Sequence, residues 1–167
     1  MRISGGGAGN VNVLQSDAGQ FRNADFVTSQ NGAFVRGAGI GGNVAEYTHI
    51  QCLNPAASGV VTLIDAIDVS VFSDSVVVFA HYDTELATKS GDFLPTLMGG
   101  SNGQTEFRWD QNGAQLGTTY FELSLLASMP RSVVFREPLQ LAAEEGFLVY
   151  DQSTNIGMNV VYFVREV

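Results

Sequence analysis

From residue 44 onward, short apolar runs alternate with polar, turn-forming stretches, and within the runs the side chains alternate with a period of two. That is the pattern of strands with one buried and one wetter face. It predicts eight strands, at 44–53, 60–72, 75–82, 104–109, 119–126, 132–136, 146–151 and 157–165, and no convincing helix. In the second, Val61, Leu63, Ile67, Val69 and Val71 share a face opposite Thr62, Asp68 and Ser70. Thr105, Phe107 and Trp109 oppose Gln104, Glu106 and Arg108, and Phe121, Leu123 and Leu125 form a stripe beside Tyr120, Glu122 and Ser124. Asp65 interrupts the apolar face of strand 60–72, which predicts a bulge or a hydrogen bond to a neighbouring strand. The expected fold is all-β, a jelly-roll-like sandwich of about eight strands.

Turn residues punctuate the runs. Asn31-Gly32, Asn102-Gly103 and Asn112-Gly113 are suited to the positive-φ positions of tight hairpin turns, the last linking the strands that end at Trp109 and begin near Thr119. The segment from Thr84 to Gly103 is the least regular, with room for a short helix or a long loop around Leu94 to Met98. Ten of the nineteen glycines fall in residues 1–42, including Gly5-Gly6-Gly7-Ala8-Gly9 and Gly37-Ala38-Gly39-Ile40-Gly41-Gly42. Such sequence offers few side chains to bury, so residues 1–43 are expected to form an extended arm, with short strands at 11–14 and 33–36, and residues 44–167 the sandwich.

Composition narrows the function classes. Hydrophobic content of 45% is that of a folded chain, and 167 residues suit a single core. No apolar run reaches the length of a membrane span, and MRISGGGAGN has no apolar stretch that would make it a secretory signal, so the expectation is a soluble protein. Net charge is −9, and the seven arginines and Lys89 are scattered, which argues against nucleic acid and against an anionic membrane surface as partner. A single cysteine, Cys52, forms no internal disulfide.

The chemical candidates each meet an obstacle. His81, Asp83 and Glu85 alternate so as to face one way in an extended strand, but a catalytic metal site generally wants two or more imidazoles or an equivalent set, and the only other histidine, His49, is a strand away at unknown register. Cys52, at the apolar end of Gln51-Cys52-Leu53, reads as a buried thiol. Glu144-Glu145 sits in a turn, and Asp65 and Asp68 lie on opposite faces of a strand, so neither makes a glycosidase pair. The 37–42 glycine cluster lacks the lysine and helix of a phosphate loop and reads as a flexible connection. The expectation is a non-enzymatic protein with no catalytic, cofactor or metal residues.

Two segments carry a resemblance. AEYTHIQCLNPAASGVVTLIDAIDVSV and PLQLAAEEGFLVYDQSTNIGMNVVYFVREV are similar to the small jelly-roll structural proteins of tailed bacteriophages, through Pro138, Leu139, Leu141, Glu145, Gly146, Phe163 and Glu166. The resemblance, over residues 45–167, implies a virion component assembled in the host cytoplasm: a capsid decoration or cement protein. Its implied partners are itself, as a dimer or trimer, and the major capsid protein or another virion protein. Other implied roles are a tail- or head-fibre adaptor. A carbohydrate-binding sandwich stacking sugars on Trp109, Tyr47 or Tyr120 is the reading from a different class.

Overall fold

The computed structural model describes residues 33–96 and 100–167, and within them the chain is built of strands alone. In chain order they are β1 Ala33–Ile40, β2 Tyr47–Leu53, β3 Thr62–Val71, β4 Ser75–His81, β5 Thr88–Asp92, β6 Leu94–Pro95, β7 Glu106–Asn112, β8 Thr118–Leu125, β9 Arg131–Leu141, β10 Gly146–Asp151 and β11 Met158–Glu166. They form two antiparallel sheets, sheet one in the order β6-β1-β11-β3-β9 and sheet two in the order β5-β7-β2-β10-β4-β8. Setting aside β5, β6 and β7, an excursion between β4 and β8, eight strands remain. One sheet takes the first, eighth, third and sixth of them and the other the second, seventh, fourth and fifth. That is the jelly-roll order, two sheets joined by chain that crosses repeatedly from one to the other.

All eight expected strands are present, and the differences have physical causes. Ala33–Ile40, expected within the arm, is a full strand paired along its length with β11, so the sandwich takes in residues before 44. Its glycines permit this: a Cβ at Gly37 would come within 2.6 Å of the Val161 side chain, and one at Gly39 would overlap the Asn159 amide. The rest of the expected arm, with its strand at 11–14 and the Asn31-Gly32 turn, lies outside the described residues. Asp65 is a bulge, skipped in the pairing of β3 with both β11 and β9. The bulge resets the alternation, so Thr62 and Ile64, not Val61 and Leu63, point inward with Ile67, Val69 and Val71. Asp65 itself takes a bidentate pair from Arg165, at 2.9 and 2.7 Å.

Between β7 and β8 the link is longer than a two-residue turn. The positive φ falls on Gly117, at 83°, rather than on Asn112-Gly113, whose Asn112 side chain instead accepts the Ala114 amide. β10 and β11 lie in different sheets, so residues 152–157 form an arch and not a hairpin. The two segments carrying the family resemblance meet at Asn54, which is fully buried. Its side-chain amide donates to the carbonyls of Val60 (2.9 Å) and Leu141 (3.0 Å), and its backbone exchanges hydrogen bonds with Glu144 and Glu145.

The core between the sheets is aliphatic and aromatic, with Phe79, Phe93, Phe107, Phe147 and Tyr162 fully or almost fully buried. Tyr162, on β11, places a polar group at the centre of it: its hydroxyl reaches across to the Ile50 carbonyl of β2 at 3.0 Å, with the Phe147 carbonyl of β10 at 3.2 Å. Burial pushes its phenol well above the ordinary tyrosine range, so it stays a neutral donor. Tyr162→Phe should lower stability by about 1–3 kcal/mol, the cost of leaving buried carbonyls without their donor. Urea unfolding should show the midpoint falling with an unchanged slope.

Candidate interaction face

The outer faces of the two sheets differ, and the difference begins at Gln51. On β2 the residues Ile50 and Cys52 point into the core, so Tyr47, His49, Gln51 and Leu53 point outward from sheet two. Outward polar residues on a strand are usually wet, yet Thr48 to Leu53 are all buried. The cover is the chain's own excursion. Leaving β4, residues 82–87 cross over β10 and β2 as a strap, and Gln51 fastens it: its amide nitrogen donates to the carbonyls of Tyr82 (2.8 Å) and Thr84 (3.0 Å), and its carbonyl accepts the Leu86 amide at 3.1 Å. Arg108 of β7 holds the far end through the Leu86 carbonyl at 2.9 Å. Leu86 thereby closes a second apolar cluster with Val78, Ala80, Leu148 and Tyr150, flanked by Tyr82 and Leu116.

Gly146 is what lets the strap lie down. A side chain there would overlap the Tyr82 carbonyl and come within 2.6 Å of the Gln51 amide nitrogen. Gln51→Leu would remove the partner of the buried Leu86 amide and of the part-buried Tyr82 and Thr84 carbonyls, costing about 1–3 kcal/mol. Amide exchange at Leu86 should accelerate in that variant far more than exchange in β11.

His49 is the most buried titratable group under this cover. No part of it is exposed, its ring lies 5.1 Å from that of Tyr150 and 6.4 Å from that of Tyr47, and neither ring nitrogen has a hydrogen-bond partner among the described residues. Burial lowers its pKa to about 4, against the smaller upward pull of the Asp110 charge and the Tyr47 backbone. A histidine whose folded pKa lies below its unfolded value stabilises the fold above pH 6.5 and loses that contribution as pH falls towards 4. The loss should reach about 3 kcal/mol. Burial acts oppositely on Asp151, whose carboxyl is pushed up. The histidine's share is therefore read as the difference between the wild-type and His49→Leu stability profiles from pH 7.5 to 4, with the variant losing less.

The chemical candidates from the sequence are dispersed. His81 shares the inward parity of Val77 and Phe79 while His49 faces out, and His81 pairs with Asp83 at 2.9 Å. Asp83 and Glu85 instead lie on the strap, where with Glu144 and Pro55 they line an open hollow of about 370 Å³. Among the described residues no three His, Cys, Asp or Glu side chains are gathered as metal ligands would be. Cys52 is fully buried, and burial raises its thiol pKa well above the ordinary value. Asp68 accepts a hydrogen bond from Ser132 at 2.5 Å, and Glu145 accepts the Ala142 amide at 2.7 Å. Trp109 packs against the core while Tyr47 points the other way, so the rings suggested for sugar stacking do not make one platform.

Among the described residues, sheet one has no such cover. Strand register places Val35, Phe163, Ala66 and Val134 side by side across β1, β11, β3 and β9, an apolar row on the outer face. Val161 and Leu63 stand in the adjoining rows, and none of the six belongs to either buried cluster. All but Ala66 remain part-exposed. Polar groups around the row are paired among themselves: Arg165 with Asp65, Ser132 with Asp68, and Asn159 with Ser70 at 3.2 Å. A face so composed is apolar in the middle and hydrogen-bonded at its edge, which suits contact with another surface. The row escaped the sequence reading because its members come from four strands and align only through register. Compared with protein-family models, curated proteins and solved structures, the chain matches none of them.

Proposed function

We propose that this protein is a non-enzymatic structural component of a tailed-phage particle, a capsid decoration or cement protein that self-associates on the particle surface. The observation that carries the reading is the asymmetry of the jelly roll. Sheet two is closed over by residues 82–87, tied to Gln51, whereas the apolar row Val35, Phe163, Ala66 and Val134 on sheet one is left for something outside the described fold. The similarity of residues 45–167 to phage jelly-roll proteins supplies the particle. Its marker residues do structural work here: Leu139 and Leu141 pack on the core, Gly146 underlies the strap, Phe163 lies in the row, and the Glu166 carboxylate accepts the Thr105 amide and hydroxyl at 2.7 Å.

Purified particles of the phage that encodes the chain provide the test. Mass spectrometry should find the protein at a fixed ratio to the major capsid protein, and a particle reconstruction should place it on the outer surface. Its absence from washed particles would end the proposal.

A further inference from the structure

The face that the described residues leave uncovered could meet a second copy, the particle shell or an unrelated protein, and the charges on the two sheets select among them. The outer face of sheet two and its excursion carry Asp83, Glu85, Asp92, Glu106, Asp110 and Glu122 against Lys89 and Arg108, six acids to two bases, with Asp151 of β10 buried. On the face and β9 edge of sheet one the charges are Asp65, Asp68 and Glu137 against Arg131, Arg136 and Arg165, three to three. Of these two faces, that of sheet two is therefore net acidic and that of sheet one net neutral, while Glu46, Asp74, Glu144 and Glu145 lie in loops on neither. Two identical acidic proteins repel through any surface that carries the surplus, and a neutral apolar face is where that repulsion is weakest.

Area supports the same occupant. Four strands spaced about 4.8 Å apart, with some seven residues each at about 3.4 Å, present on the order of 500 Å². Buried on both partners, that is about 1,000 Å², at the threshold of a specific interface. A two-fold operation applied to one patch needs no second, complementary surface, and the in-sheet pairing of Arg165–Asp65 and Ser132–Asp68 leaves the patch self-compatible. Gly37 and Gly39 keep the β1 side of the patch low, with the Val161 and Asn159 side chains lying across them.

We infer that the outer face of sheet one, centred on the row Val35, Phe163, Ala66 and Val134, is an isologous dimer interface between two copies of this chain. The inference rests on the self-association named above and assigns it to one face. Sedimentation equilibrium of the full chain from 1 to 100 µM, in 0.15 M salt, tests it. The wild type should show the mass of a dimer at the upper end. Val134→Glu and Val161→Glu, two independent part-exposed positions, should each weaken association at least tenfold while keeping the far-ultraviolet spectrum of the sheets. Glu122→Arg on the opposite face should leave the mass unchanged.

A wild type that stays monomeric to 100 µM overturns the inference, as does undiminished association in whichever of the two glutamate variants remains folded. Loss of association in Glu122→Arg alone overturns it too. These outcomes are separable from the fate of the virion reading. Monomers found on particles sink the dimer face and leave the particle role standing, whereas dimers through this face that are absent from particles do the reverse.

Discussion

The sandwich depends on one hydroxyl as much as on its apolar layers. Dispersion and burial press two sheets together without fixing how one slides over the other. Tyr162 removes that freedom, because a phenol in the middle strand of sheet one must find its acceptor on β2 of sheet two or go unsatisfied in a dry core. Around it the rings of Phe93 and Phe107 stand edge to face at 6.2 to 6.4 Å, so the bond is held in a packed aromatic group. Phe93 is also the residue by which the excursion passes from β5 in sheet two to β6 in sheet one. The same anchor therefore positions the inter-sheet alignment and the point at which the excursion crosses from one sheet to the other.

That cover divides the molecule into unlike halves. A sheet has two faces, and in a two-sheet fold each sheet has one face that the core does not bury. Here residues 82–87 lie over one of them, fastened to Gln51 and packed through Leu86 against Tyr150. The other face keeps aliphatic and aromatic residues where solvent-facing strands usually carry polar ones. The outer face of the closed sheet is net acidic, whereas the charges beside the apolar row on the other sheet balance.

Much of the fold was legible because period-two alternation is a local signal, and all eight strands read from it are present. Asp65 was visible as a fault in the pattern, but its effect on Val61 and Leu63 was not, since a bulge shows its direction only once the neighbouring strands are in place. Gly37 and Gly39 misled because glycine density reads as a loop, whereas here it answers to Val161 and Asn159 crossing from the next strand. The strap was illegible for a different reason. Gln51 grips backbone groups of Tyr82, Thr84 and Leu86, and backbone groups are the same in every sequence. Likewise the row on sheet one spans residues 35 to 163, and no window of sequence contains it.

β11 pairs with β1 on one side and with β3 on the other, so the last strand of the fold is the one that joins the first to the third. During synthesis, β1 and β3 wait with unpaired edges until residues 158–166 have left the ribosome. Sheet one cannot assemble in the order in which it is made, and the chain must pass through a stage with open, apolar edges that would pair as readily with a neighbouring nascent chain. Protection at that stage, by a chaperone or by low local concentration, is a requirement that the topology places on the cell producing it.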